Sequence, residues 1–292
     1  MDETTRQAAI ALHDRFTHVH HDRRAFMAEM TRLAGGTAAA VALAAAIGAD
    51  PAAAAIVAAD DPRLASQRIE WAGAGGHRMA GLSVRAKEGA AKRPAVIVIH
   101  ENRGLTPYIE DVARRVALAG FQALAPDFLT PAGGTPADED KAREMIGALD
   151  MPATVADAVA TARFAATMPG TTGRVGAVGF CWGGAMVNRL AVGAGSGLAA
   201  GIAYYGPPPP PSEAAKVKAA MMLHYAGLDE RVNAGADAWV VALKAAGVDV
   251  VRHDYPGKNH AFHNDTSAAR YDREAADLSW DRTIAFLKAH LV

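Results

Sequence analysis

From about Asp61 to the C-terminus, apolar and polar positions follow two rhythms, one of strands and one of helices. The run "PAVIVIH" (94–100) is continuously apolar and β-branched, which predicts a strand covered on both faces. "RMAGLSVRA" (78–86) alternates residue by residue, as an edge strand does. "IEDVARRVALAG" (109–120) repeats apolar residues at helical spacing and stops at Gly120, a natural C-terminal cap. Further strands are predicted at 121–127, 174–180, 198–206, 218–227 and 249–257. Helices are predicted at 137–149, 153–168, 182–194, 233–247 and 272–291. Such alternation predicts an α/β fold with a mostly parallel sheet, helices on both faces and sites in loops at the carboxyl ends of strands. The five prolines Pro207 to Pro211 are expected to form a rigid loop over the sheet edge. No internal repeat is visible.

The first 60 residues have a different texture and are set apart as a leader and linker, leaving 61–292 as the folded domain. Arg23 and Arg24 precede Phe26 and a weakly apolar, small-residue run from Gly35 to Ile47, and A-x-A-like choices follow. This layout resembles a twin-arginine export leader and points to a periplasmic or exported protein. The alternative is an N-terminal arm on a cytoplasmic one. The apolar run is short for a membrane span, which needs roughly 20 residues. His13, His18, His20 and His21 are read as part of a solvated leader, not as metal ligands.

Composition narrows the chemistry. A formal net charge of -1 over 292 residues offers no electrostatic footprint for nucleic acid. The single cysteine excludes an internal disulfide and any cysteine-cluster metal site. That residue, Cys181, lies in "GFCWGG" between a predicted strand and a predicted helix, in the pattern G-x-C-x-G-G from Gly179 to Gly184. A side chain at the tip of a tight strand-to-helix turn needs tiny residues two before and two after it. That is the nucleophile-elbow pattern G-x-S-x-G with cysteine in place of serine. The following helix points its N–H groups toward the sulfur and favours thiolate.

An orienting acid and a histidine base are then expected in that order, each after a later strand. "HYAGLDERVN" supplies Asp229 and "YPGKNHAFHND" supplies His260, with His263 the rival in the same loop. The loop "HENRG" after 94–100 places Glu101 at the strand tip. Backbone N–H groups of Asn102 and Trp182 are the expected oxyanion donors. Arg103, His263 and Tyr108 are candidates to contact substrate. Two other readings compete with a hydrolase: a non-catalytic binding or sensor protein on the same fold, and a redox protein. The first predicts a broken triad. The second lacks a resolving cysteine.

With these motifs assembled, the chain from about Glu70 onward resembles the dienelactone hydrolase family of α/β-hydrolases. "HENRG", "APDFL", "GFCWGG", "AGLDERV" and "GKNHAFHND" occur in family order. The resemblance implies an ester or lactone hydrolase with Cys181 as nucleophile, His260 as base and later acid, and Asp229 as its orienter. It implies that Glu101 keeps the resting thiol protonated and accepts its proton when substrate displaces it. It implies unsaturated lactones such as carboxymethylenebutenolide as substrates, and no metal or organic cofactor. The family's two carboxylate-binding arginines have no counterpart here: "PDFLTPAGGTP" contains none, and Asn264 stands at the second place.

Overall fold

Successive residues of the apolar strands go to opposite faces of one eight-stranded sheet. The computed structural model describes residues 3–18, 22–47 and 55–292. The strands are β1 (Leu64–Ala72), β2 (Arg78–Ala86), β3 (Arg93–Ile99), β4 (Gln122–Asp127), β5 (Thr171–Phe180), β6 (Ala200–Tyr204), β7 (Ala220–Ala226) and β8 (Val250–Tyr255). Their order is β1-β2-β4-β3-β5-β6-β7-β8; β2 is antiparallel to both β1 and β4, and the remaining pairs are parallel. In β3, Val96 and Val98 enter one core while Ala95, Ile97 and Ile99 enter the other. The first core is covered by α4 (Pro107–Leu118) and α10 (Arg273–Leu291), through residues such as Val112, Val116 and Leu287. The second is covered by α6 (Met151–Thr167), α7 (Trp182–Ala194) and α9 (Ala236–Ala245), through Ala162, Leu190 and Trp239. Two short helices, α5 (Glu139–Gly147) and α8 (Glu230–Asn233), lie in loops that follow β4 and β7.

Two expectations about the sheet are corrected. β2 is not the edge: β1 pairs along its full length and takes that place. The exposed polar residues Gln67, Arg68 and Glu70 obscure β1, because Gln67 and Arg68 are consecutive and interrupt any alternation of buried and exposed positions. The prolines do not cover a sheet edge either. They follow β6, which lies between β5 and β7, and so stand at the carboxyl end of the sheet's interior.

The described part of the segment set apart as a leader forms three helices, α1 (Glu3–His18), α2 (Arg23–Ala34) and α3 (Thr37–Ile47). They share a small apolar cluster containing Phe16, Phe26, Met30, Leu43 and Ile47. They also pack on the domain: Arg6 Nη1 donates to the Ala269 carbonyl (2.7 Å), Ser267 Oγ donates to that of Ile47 (2.7 Å), and Arg23 pairs with Asp140. His13 is buried, not solvated. His20, His21 and the residues directly after Ile47 lie outside the described residues. Among the described residues no single helix is long and apolar enough to cross a membrane, and α2 and α3 meet at a bend of 107°.

Candidate active site

Everything at the site depends on how closely β5 and α7 approach. Cys181, the residue between them, has φ 56° and ψ −114°, a conformation that L residues hold only under external constraint. Its N–H donates to the Tyr204 carbonyl (3.0 Å), and its carbonyl accepts from Ala185 N (3.1 Å). A Cβ on Gly179 would sit 2.2 Å from the Gly183 oxygen, and one on Gly183 would sit 2.3 Å from the Ile99 oxygen. Neither backbone can retreat without opening the sheet. Gly183→Val is therefore expected to cost about 3 kcal/mol or more, read by urea unfolding of the purified variant. Wild-type stability would show that β3 and α7 are not in contact there.

The loops after β7 and β8 bring the second and third candidates to the same point. Asp229 caps α8, with Oδ1 accepting from Val232 N (3.2 Å), and its other oxygen meets His260 Nδ1 at 2.5 Å. The His260 side chain also hydrogen-bonds Cys181, and both His260 and Asp229 are buried. Burial alone would disfavour the imidazolium, but negative charge at Cys181 and Asp229 reverses this and raises the His260 pKa well above the ordinary value. Burial likewise works against the Asp229 carboxylate. His260, with Arg231 and the Val232 N–H behind it, outweighs that and lowers its pKa.

Glu101 lies just past β3, beside Cys181. Burial, and then the charge of Cys181, raise its pKa against the opposing pull of Arg103, Arg270 and His260. Its Oε2 accepts from Asn264 Nδ2 at 2.8 Å, while Oε1 is buried and has no hydrogen-bond partner among the described residues. The loop itself is pinned by His100. Its Nδ1 lies 2.7 Å from the Glu101 carbonyl and its Nε2 accepts from Phe128 N at 3.3 Å, while its ring stacks on Trp182. Burial holds His100 neutral, so Nδ1–H donates to the carbonyl. Trp182 begins α7, where a helix leaves its first N–H groups without an intrahelical acceptor.

A cavity of about 280 Å³ opens at Cys181, with Asn102 and Trp182 on its wall. Arg143, Arg189 and Arg231 also line it, from α5, α7 and α8. Among the described residues Arg189 and Arg231 pair with no carboxylate, whereas Arg143 pairs with Asp140 (2.5 Å). A smaller recess reaches Cys181, His260, Glu101 and Arg103. Arg103 is buried there and faces Glu139 at 3.3 Å. Tyr108 OH and His263 Nδ1 hydrogen-bond each other at 2.8 Å beside Phe180, and neither lines the cavities at Cys181. Burial lowers the His263 pKa to about 3. Sequence reasoning missed Asn264 as the partner of Glu101. It also missed the three cavity arginines, which are far apart in the chain.

Tyr205 was missed as well. It has φ 35° and lays its ring 4.9 Å from that of His260, so a second strained residue supports the imidazole. Only its unusual backbone betrays it.

The family model for the dienelactone hydrolase family matches residues 79–291. This chain belongs to the dienelactone hydrolase family. The carboxymethylenebutenolidase of Pseudomonas putida is 29% identical to it over 204 residues, covering 68% of this chain and 86% of that enzyme. A crystal structure from Klebsiella pneumoniae named "Putative Dienelactone Hydrolase" superposes with a TM-score of 0.68 at 27% identity, covering 77% of this chain and 99% of its own. A dienelactone hydrolase-like promiscuous phosphotriesterase from metagenomic libraries superposes with a TM-score of 0.70 at 23% identity, over 79% of this chain and all of that one, a likeness of fold alone. The fold is that of α/β-hydrolases, and this dienelactone hydrolase family member is a hydrolase of the ester or lactone type. The matched span begins at Met79, so α1–α3 lie outside it.

Proposed function

We propose that the chain hydrolyses a small lactone or ester bearing an anionic group, through an acyl-enzyme on Cys181. The supporting observation is the line Asp229–His260–Cys181, built on a strained elbow with a 2.5 Å contact between the first two. The Cys181 sulfur attacks the substrate carbonyl carbon. Its proton passes to His260, directly or by way of Glu101, and the carbonyl π electrons move onto oxygen. Backbone N–H groups of Asn102 and Trp182 hold that oxyanion. Collapse of the intermediate expels the alkoxide, which takes the proton from His260; in a lactone it stays attached as the ring opens. Water then attacks the thioester, surrendering a proton to His260, and the thiolate leaves and recovers that proton as the carboxylic acid departs. Asp229 keeps the imidazole oriented and offsets its positive charge.

The anionic preference rests on Arg189 and Arg231, which line the cavity and among the described residues form no ion pair, although the charge of Arg231 also acts on Asp229. They come from other elements than the family's arginines. Turnover of a lactone or ester bearing a carboxylate should exceed that of its methyl ester. Arg189→Ala should raise KM for the carboxylate substrate about 10- to 100-fold, a charged hydrogen bond being worth about 1.5–3 kcal/mol, and spare the neutral one. Equal losses on both substrates would remove Arg189 from recognition. Absence of hydrolysis over a panel of lactones and aryl esters would defeat the functional reading.

A further inference from the structure

Thr17, in the last turn of α1, lines both the 280 Å³ cavity and the smaller recess, the two spaces that contain Cys181. Its carbonyl accepts from Asn102 Nδ2 at 3.3 Å, so α1 touches the loop that carries a proposed oxyanion donor. The helix is tied down around this contact. The Arg143 guanidinium lies 5.0 Å from the centre of the Phe16 ring, which stacks on Phe26 at 4.4 Å. Asp14 meets Arg270, a residue of the recess, at 3.4 Å. His13 is buried, and burial is the first cause that lowers its pKa to about 4, so no extra positive charge arises beside Arg103 and Arg270 near neutral pH. The α1 side of these contacts lies outside the span that the family model matches, which begins at Met79.

We propose that α1 is the outer wall of the active site and that Thr17 is a specificity-determining residue. While residues 3–47 remain attached, the wall confines the space at Cys181 and favours small acyl groups or compact lactone rings over bulky ones. The cavity's 280 Å³ already falls just below the usual range for small-molecule sites, which begins near ~300 Å³. The inference rests on the proposed hydrolase reading only for its turnover measurement. Access to the sulfur is measurable without turnover.

Cys181 is the sole cysteine, so thiol labelling of the full chain reads one position. The variants are Thr17→Trp, which fills the wall side of the cavity, and Arg6→Ala with Asp14→Lys, which cuts one anchor of α1 and sets like charges against Arg270. Each is compared with the parent for alkylation by pyrenylmaleimide relative to iodoacetamide, and for kcat/KM on p-nitrophenyl benzoate relative to the acetate. Both ratios should fall about tenfold in Thr17→Trp and rise about tenfold in the double variant, the scale on which pocket shape discriminates substrates. Should the tryptophan variant fail to fold, the double variant decides. Ratios unmoved in the variants that fold would overturn the wall. A shift in the labelling ratio with no hydrolysis by any form would uphold the wall and defeat the hydrolase reading.

Discussion

Cys181→Ala is expected to abolish ester and lactone turnover, lowering kcat by roughly four orders of magnitude or more, while leaving the domain folded. The side chain sits at a turn tip, and the strained φ belongs to the backbone, which Gly179, Gly183 and their close contacts hold in place. Unfolding free energy should therefore change by no more than about 1 kcal/mol. His260→Gln should lose nearly as much activity as Cys181→Ala, and the double variant little more, because nucleophile and base act as a unit. Substantial activity in Cys181→Ala would show that some other group attacks the carbonyl. Loss of activity together with unfolding would make Cys181 a structural residue.

The second large effect concerns Glu101. It and Cys181 are close enough that negative charge on one disfavours charge on the other, and burial adds to the cost for Glu101. Glu101→Gln removes both a competing charge and a proton acceptor while keeping the shape that Asn264 supports. Turnover is expected to fall about 10²- to 10³-fold, in the range of general acid–base contributions. Thiol alkylation without substrate should not slow. The sign follows from Coulomb's law: a nearby carboxylate resists formation of thiolate, so its removal favours thiolate at lower pH. The midpoint of the alkylation–pH curve should thus move to lower pH. A midpoint shifted upward, or full turnover, would leave Glu101 as no more than a partner for Asn264.

The sheet was legible because strands buried on both faces are written in uninterrupted apolar runs, as at β3, while its helices carry the helical period. The elbow was legible because close backbone approach admits only glycine, so Gly179 and Gly183 report a contact that sequence separation hides. Asp229 and His260 could be proposed from their places after β7 and β8, and the structure brings them within 2.5 Å. The edge strand β1 was missed because its exposed residues are mostly polar and its alternation is weak. Arg143, Arg189 and Arg231 converge on one cavity only through the packing of three separate helices, which no local pattern encodes. Tyr108 and His263 carry the chemistry of a binding site, yet satisfy each other beside Phe180. The N-terminal helices were set apart by composition, although their polar anchors, Asp14 and Arg6, find partners near residue 270.

Covalent catalysis at Cys181 can be read by intact-mass analysis of acid-quenched enzyme during turnover of a slow aryl ester. An added acyl mass should map to the peptide containing Cys181, form with a burst of phenolate and accumulate in a variant slowed at deacylation. Steady turnover with no adduct on Cys181, in a case where deacylation is shown to be rate-limiting, would contradict it.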